Sequence, residues 1–254
     1  MLCSVRLLRS VHRLWRKDDT MYFYFYDDPL SLTLYAVGIL IFIASLIIQG
    51  AVSSTFNKYS KVASRCGLTG AQAAQLVLQK NGVTIAGIHR TPGQLTDHYD
   101  PRSNTIHLSE GVYDSTGVAA IGVAAHEAGH AAQYAKGYAP IKMRMAVLPA
   151  ANLGSKAAIP LTLLGFVFSF QPVIYFGIIL FAAVTLFQLI TLPVELDASR
   201  RAMVAIKSPG ILDSEEAKGA RRVLTMAALT YVAALAASIV QLLRLIALAN
   251  NRRR

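Results

Sequence analysis

Three residues that bind metals or move protons fall at a spacing in which each needs the others: His126, Glu127 and His130, in the stretch His126-Glu127-Ala128-Gly129-His130. On a helix, positions i and i+4 lie one turn apart on one face, so two imidazoles at that spacing reach a single Zn²⁺. The carboxylate of Glu127 then stands where it can take a proton from a water that the ion activates. The chemistry implied is hydrolysis of a carbonyl substrate with one zinc per chain. A rival reading is a non-catalytic membrane scaffold or chaperone with a retained zinc site. The intact Glu127 weighs against it, because a structural ion has no use for a general base.

The element that must carry these residues is a helix over 117–135, free of proline, with Asp114-Ser115-Thr116 as its expected N-cap and Lys136-Gly137 as its close. Ala119, Ala120, Gly122, Ala124, Ala125, Ala128, Gly129, Ala131 and Ala132 crowd it, so neighbouring elements can approach closely. Upstream, Leu68-Thr69-Gly70 caps a short helix over 71–79 that Asn81-Gly82 ends. A strand is expected over 83–89. The run 96–108 reads as strand, turn at Pro101 to Asn104, and strand. Asn104 to Ser109 is the segment expected to sit at a sheet edge and pair with an extended substrate backbone.

Composition places this unit at a membrane. With 54% hydrophobic residues and a mean hydropathy of +0.43, the chain reads as an integral membrane protein. Its net charge of +11 is explained by Lys and Arg flanking spans on the lipid bilayer. No nucleic-acid-binding motif is present, and nucleic acid is not an expected partner. Cys3 and Cys66 make no disulfide framework. The expected organisation is a basic arm and aromatic belt (1–29), a first transmembrane helix (30–52), a metal-binding domain (53–145), a membrane hairpin of two spans broken at Gln171-Pro172 (146–194), a polar loop and helix start (195–223), a last span (224–249) and a basic tail (250–254). Met1 and Met21 are both candidate starts, and Arg244 is expected to snorkel or to face the bundle.

Two histidines leave room for a third protein ligand and a water. A continuation as HExxHxxGxxH is excluded by Gln133 and Lys136. A glutamate from a later helix is the other solution, and the stretch Pro193-Val194-Glu195-Leu196-Asp197-Ala198-Ser199-Arg200-Arg201-Ala202 supplies acids at the start of one. Glu195 is the choice and Asp197 its rival. Asp197 or Ser199 is also placed to accept from the outer nitrogen of a ligand histidine. For the oxyanion stabiliser the candidates are His98, Tyr99 and Arg200, each of which could equally serve a fold-stabilising hydrogen bond.

The segments Ser54 to Lys61, Leu95 to Arg102, Gly122 to Ala131, Phe187-Gln188-Leu189 and Pro193 to Ala202 occur in order, and on them the chain resembles the neutral zinc metallopeptidase type 2 family, the YugP-like membrane metalloproteases of bacteria. Residues 1–20 and Lys156 depart from that pattern. The resemblance implies a zinc-dependent membrane peptidase acting on protein or peptide substrates, membrane proteins among them, in a multi-pass bacterial cell-membrane protein. The expected fold is an α+β membrane protein, mainly helical, with about four transmembrane helices and a small β-sheet beside a zincin HExxH helix. A site-2 type intramembrane protease ranks lower, because its motif lies inside apolar spans and this one is flanked by polar, strand-rich sequence. His130 and Glu195 can share one ion only with an even number of crossings between them. The basic residues on that side, such as Lys58, Lys61, Lys136, Arg200, Arg201, Arg221 and Arg222, place it in the cytoplasm.

Overall fold

The computed structural model describes residues 29–208 and 210–251, so the basic arm and both candidate starts lie outside the described residues. Helix α1 (Pro29–Ser60) opens on its proline and carries no charge before Lys58. Its length exceeds the ~30 Å of a hydrocarbon core at ~1.5 Å per residue, and Ile39, Phe42 and Ile47 stand exposed along it. The helix outruns the expected 30–52 span because its last turns pack on protein: Phe56 lies against the core and Tyr59 against Gly219. Helix α2 (Gly70–Asn81) has the capping box its sequence promises, with Thr69 and Gln72 exchanging side-chain to backbone hydrogen bonds and Gly82 closing it at φ 64°.

Three strands follow, β1 (Gly87–Thr91), β2 (His98–Asp100) and β3 (Thr105–Ser109), in the order β1-β3-β2. β1 runs parallel to β3, and β2 antiparallel to it. This overturns one expectation: the 104–109 segment is the central strand, with both its edges taken, and the free edges belong to β1 and β2. Alternation along β3 sends Ile106 and Leu108 into the core and His107 to the opposite face.

After the short α3 (Glu110–Tyr113) comes α4 (Val118–Ala135), the helix of the HExxH stretch. Its N-cap is Gly117, not a side chain of 114–116. The reason lies in a neighbouring segment. Val62 O accepts from Val118 N (2.9 Å), Thr116 O accepts from Ser64 N (2.9 Å), and a Cβ at Gly117 would stand 2.5 Å from Ser60 O. The backbone after α1 thus satisfies a first-turn amide that a capping side chain would otherwise hold.

Helices α5 (Ala139–Val167), α6 (Gln171–Ile206) and α7 (Ser214–Asn251) complete the chain. With α1 they are four helices long and apolar enough to cross a membrane; α4 is not among them. The α5–α6 hairpin closes on glycine: Gly154 meets the Leu180 carbonyl and Gly177 meets Ala158 and Thr162. Lys156 lies within α5, which extends upstream of it to Ala139. The polar loop expected from Glu195 to Arg222 is mostly helix. α6 runs on unbroken to Ile206 because Ala198, Ala202 and Ile206 bury one face of that stretch, so its polarity marks the exit from an apolar environment rather than the end of the helix. Asp213 then caps α7, accepting from Glu215 N and Glu216 N, while Glu216 accepts from Asp213 N. Arg244 faces the bundle, its guanidinium 3.9 Å from the Tyr35 ring.

Candidate metal centre

The core around α4 is built of small side chains, and that decides what can reach the histidines. Ala120, Ala124, Ala128 and Ala131 are fully or almost fully buried. At Gly122 an added Cβ would lie 3.2 Å from Ala220 of α7, and at Gly129 it would lie 2.6 Å from the Ala198 carbonyl oxygen of α6. A contact of 2.6 Å to backbone cannot be relieved by turning a side chain. The glycine inside the HExxH stretch therefore lets α6 cross directly over α4.

That crossing delivers Glu195. Its Oε2 lies 3.2 Å from His126 Nε2 and 3.4 Å from His130 Nε2, and the two imidazoles meet edge-on with centroids 4.7 Å apart. One donor atom from each of His126, His130 and Glu195 falls within 4.8 Å of the others. Among the described residues, this is the group of metal-binding side chains that converges in this way. Glu195 is 2% exposed. It stands about 36 Å along α6 from Gln171 at ~1.5 Å per residue, just beyond the ~30 Å of a hydrocarbon core.

The outer nitrogens are held as well. His126 Nδ1 is 3.1 Å from Ser199 Oγ, and His130 Nδ1 is 3.0 Å from Gln133 Oε1. Gln133 is fully buried, and its amide donates to the Val194 carbonyl (2.8 Å) and to Asp197 Oδ2 (3.0 Å). Both of those partners only accept, so the Gln133 oxygen is turned to His130, Nδ1 must carry the proton, and in the neutral ring Nε2 presents its lone pair toward Glu195. Asp197 therefore acts on the centre through Gln133. It also pairs with Arg200 (2.6 Å) and Arg201 (2.5 Å).

The other oxygen of Glu195, Oε1, accepts from Arg144 Nη1 of α5 at 3.2 Å, and Tyr231 of α7 stands beside the same carboxylate. Glu127 is 7% exposed. Burial pushes its carboxyl up from the ordinary glutamate range, against the downward pull of His126 and His130. Burial disfavours charge on His130 too, but hydrogen bonding to Glu195 and the charges of Glu127 and Glu195 outweigh it and leave its pKa raised.

The remaining sequence candidates are engaged with other partners. His98 bonds the Thr96 carbonyl through Nδ1 (2.8 Å), the Tyr99 hydroxyl donates to Asn104 (2.8 Å), and Arg200 is engaged with Asp197. Sequence reasoning missed three contributors. Gln133 had a signal, a lone amide in an alanine-rich helix three residues after His130, but it served only to exclude another ligand pattern. Arg144 and Tyr231 had none, because only the folded bundle brings α5 and α7 to Glu195.

Fold and site together define a membrane protein with four helices long and apolar enough to span, an HExxH helix, and a glutamate from a later helix converging on its histidines. The family described as "Putative neutral zinc metallopeptidase" matches residues 34–250, and the chain belongs to it. A Bacillus subtilis (strain 168) protein named "Putative membrane protease YugP" is 43% identical over 224 residues, spanning 88% of this chain and 97% of that protein. No solved structure matches the chain. The donor set fits the metal that the family name implies: two imidazole nitrogens and one carboxylate oxygen, with both outer imidazole nitrogens engaged, are ligands suited to zinc.

Proposed function

We propose that the chain is a membrane zinc peptidase in which His126, His130 and Glu195 hold one Zn²⁺ and Glu127 is the general base. The observation that carries this reading is the meeting of His126 Nε2, His130 Nε2 and Glu195 Oε2 with each Nδ1 bonded outward. Zinc bound there supplies a Lewis acid that polarises the scissile carbonyl and lowers the pKa of water. Glu127, a carboxyl already pushed up by burial, accepts the proton of the attacking water and returns it to the leaving amine. Arg144 positions Glu195 through its second oxygen, Tyr231 stands beside the same carboxylate, and Gln133 sets the tautomer of His130. An extended protein or peptide substrate lays its backbone along the free edge of β2, beside α4, where the Tyr99 and Tyr134 rings lie 5.5 Å apart.

The test uses full-length protein in detergent, with metal content and peptide cleavage measured together. Glu127→Gln keeps its zinc and loses cleavage. An active Glu127→Gln chain rules out the assigned base.

The site faces the cytoplasm in this reading, supported by the basic residues that flank the same end of the bundle. A cysteine placed at Lys207 then stays unlabelled by an impermeant maleimide in intact cells and labels after lysis. Labelling from outside reverses the orientation.

A further inference from the structure

Of the six histidines in the chain, two belong to the centre above and His12 lies outside the described residues. The other three stand in one row. His89 of β1 is the register partner of His107 of β3, and His98 of β2 is the register partner of the same His107. Three adjacent strands thus each present an imidazole at one level of one sheet face. The ring centroids are 5.7 Å apart for His89 and His107, and 4.8 Å apart for His98 and His107, the latter pair within 10° of parallel.

We propose that His89, His98 and His107 form a second transition-metal site that takes a borderline divalent ion such as Zn²⁺, Cu²⁺ or Ni²⁺. Directly opposed side chains of like charge destabilise a sheet, so a row of three imidazoles is tolerated best when the rings are neutral and share a cation. The tautomer of His98 suits a ligand, because Nδ1 faces the Thr96 carbonyl, which only accepts. Nδ1 carries the proton and Nε2 the lone pair. His107 Nε2 contacts the Thr105 hydroxyl at 3.0 Å, and Thr105 meets Ser103, which donates to Asp100. A second nitrogen tied to an oxygen partner is the usual arrangement of a ligand imidazole.

Reach is adequate. Strands are spaced at about 4.8 Å and Zn–N bonds are about 2.0–2.1 Å, so an ion seated over His107 is within one imidazole length of either flanking strand. His89 and His98 are exposed and can turn about χ1 and χ2 to meet it. The backbones are fixed from below by Ile106 and Leu108, both fully buried. An imidazole donor set selects Zn²⁺, Cu²⁺ or Ni²⁺ over Ca²⁺ and Mg²⁺, which prefer oxygen.

The full-length protein in detergent, dialysed to equilibrium against micromolar Zn²⁺, binds about one ion more per chain than His107→Asn does, whatever the occupancy of the His126, His130 and Glu195 centre. His89→Asn gives the same loss, and unchanged circular dichroism of both variants shows that the fold is kept. With Cu²⁺ in place of Zn²⁺, electron paramagnetic resonance of the wild type shows an imidazole-coordinated signal beyond that of the His126, His130 and Glu195 centre, and His107→Asn removes this additional signal. Millimolar Mg²⁺ displaces neither ion. Equal zinc content in wild type and both variants overturns the site, as does a Cu²⁺ spectrum of equal intensity per chain in wild type and His107→Asn.

Discussion

The two halves of α6 meet their neighbours by the same device and put it to different use. In the first half, Gly177 rests on α5 at the Ala158 carbonyl and the Thr162 hydroxyl. In the second, Ala198 presents its carbonyl to Gly129 of α4, and Glu195, Asp197 and Ser199 project beside the crossing. Close packing in the first half buries surface. In the second it also fixes where a carboxylate stands relative to two imidazoles. Stability and metal affinity should therefore separate along one helix.

The largest effects lie at the chemistry itself. Glu127→Gln should lower peptide hydrolysis by about 10²- to 10⁴-fold while zinc content stays near that of the wild type, since the general base is lost and no proposed ligand is. Glu195→Gln should lose zinc together with activity, because a neutral amide replaces the anionic ligand. Atomic absorption on the purified variants distinguishes the two. If Glu195→Gln keeps its zinc and Asp197→Asn loses it, the third ligand is Asp197.

Next come the two glycines. Gly129→Ala must push α6 away from α4, which costs about 1–3 kcal/mol in overpacking and displaces Glu195. Gly177→Ala should bring a comparable loss of thermal stability at the α5–α6 contact. Zinc affinity should fall in Gly129→Ala and hold in Gly177→Ala when both are titrated below their melting temperatures. Equal zinc affinities would erase the distinction between the halves.

That distinction was partly legible in the sequence. The i, i+4 histidines are a local pattern, and a glutamate two residues past Pro193, at the edge of an apolar run, stands out because burying a charge there is expensive. The continuity of α6 was hidden: a fall in hydropathy looks the same whether a chain leaves the helix or a helix leaves the membrane. The central place of β3 was hidden as well, since its parallel partner β1 precedes β2 in the chain and strand order is set by packing on α4. The N-cap at Gly117 depends on Val62, 55 residues earlier, and no reading of 114–117 alone contains it.

The smallest effects concern the residues that act on the ligands from behind, and they test whether the second half of α6 tunes the centre or merely carries it. Gln133→Met keeps the volume but removes the acceptor that fixes the proton on His130 Nδ1, so zinc affinity should fall by about 10- to 100-fold. Asp197→Asn should do less. Asparagine still offers an oxygen to the Gln133 amide, and what it loses is the charge shared with Arg200 and Arg201, one of them 74% exposed and so well screened. About tenfold, the bottom of the same range, is the expected loss. A double Gln133→Met, Asp197→Asn variant should be no weaker than Gln133→Met alone, because Asp197 has nothing left to orient once the amide is gone. Additive losses in that cycle would mean that Asp197 reaches the centre by a route other than Gln133.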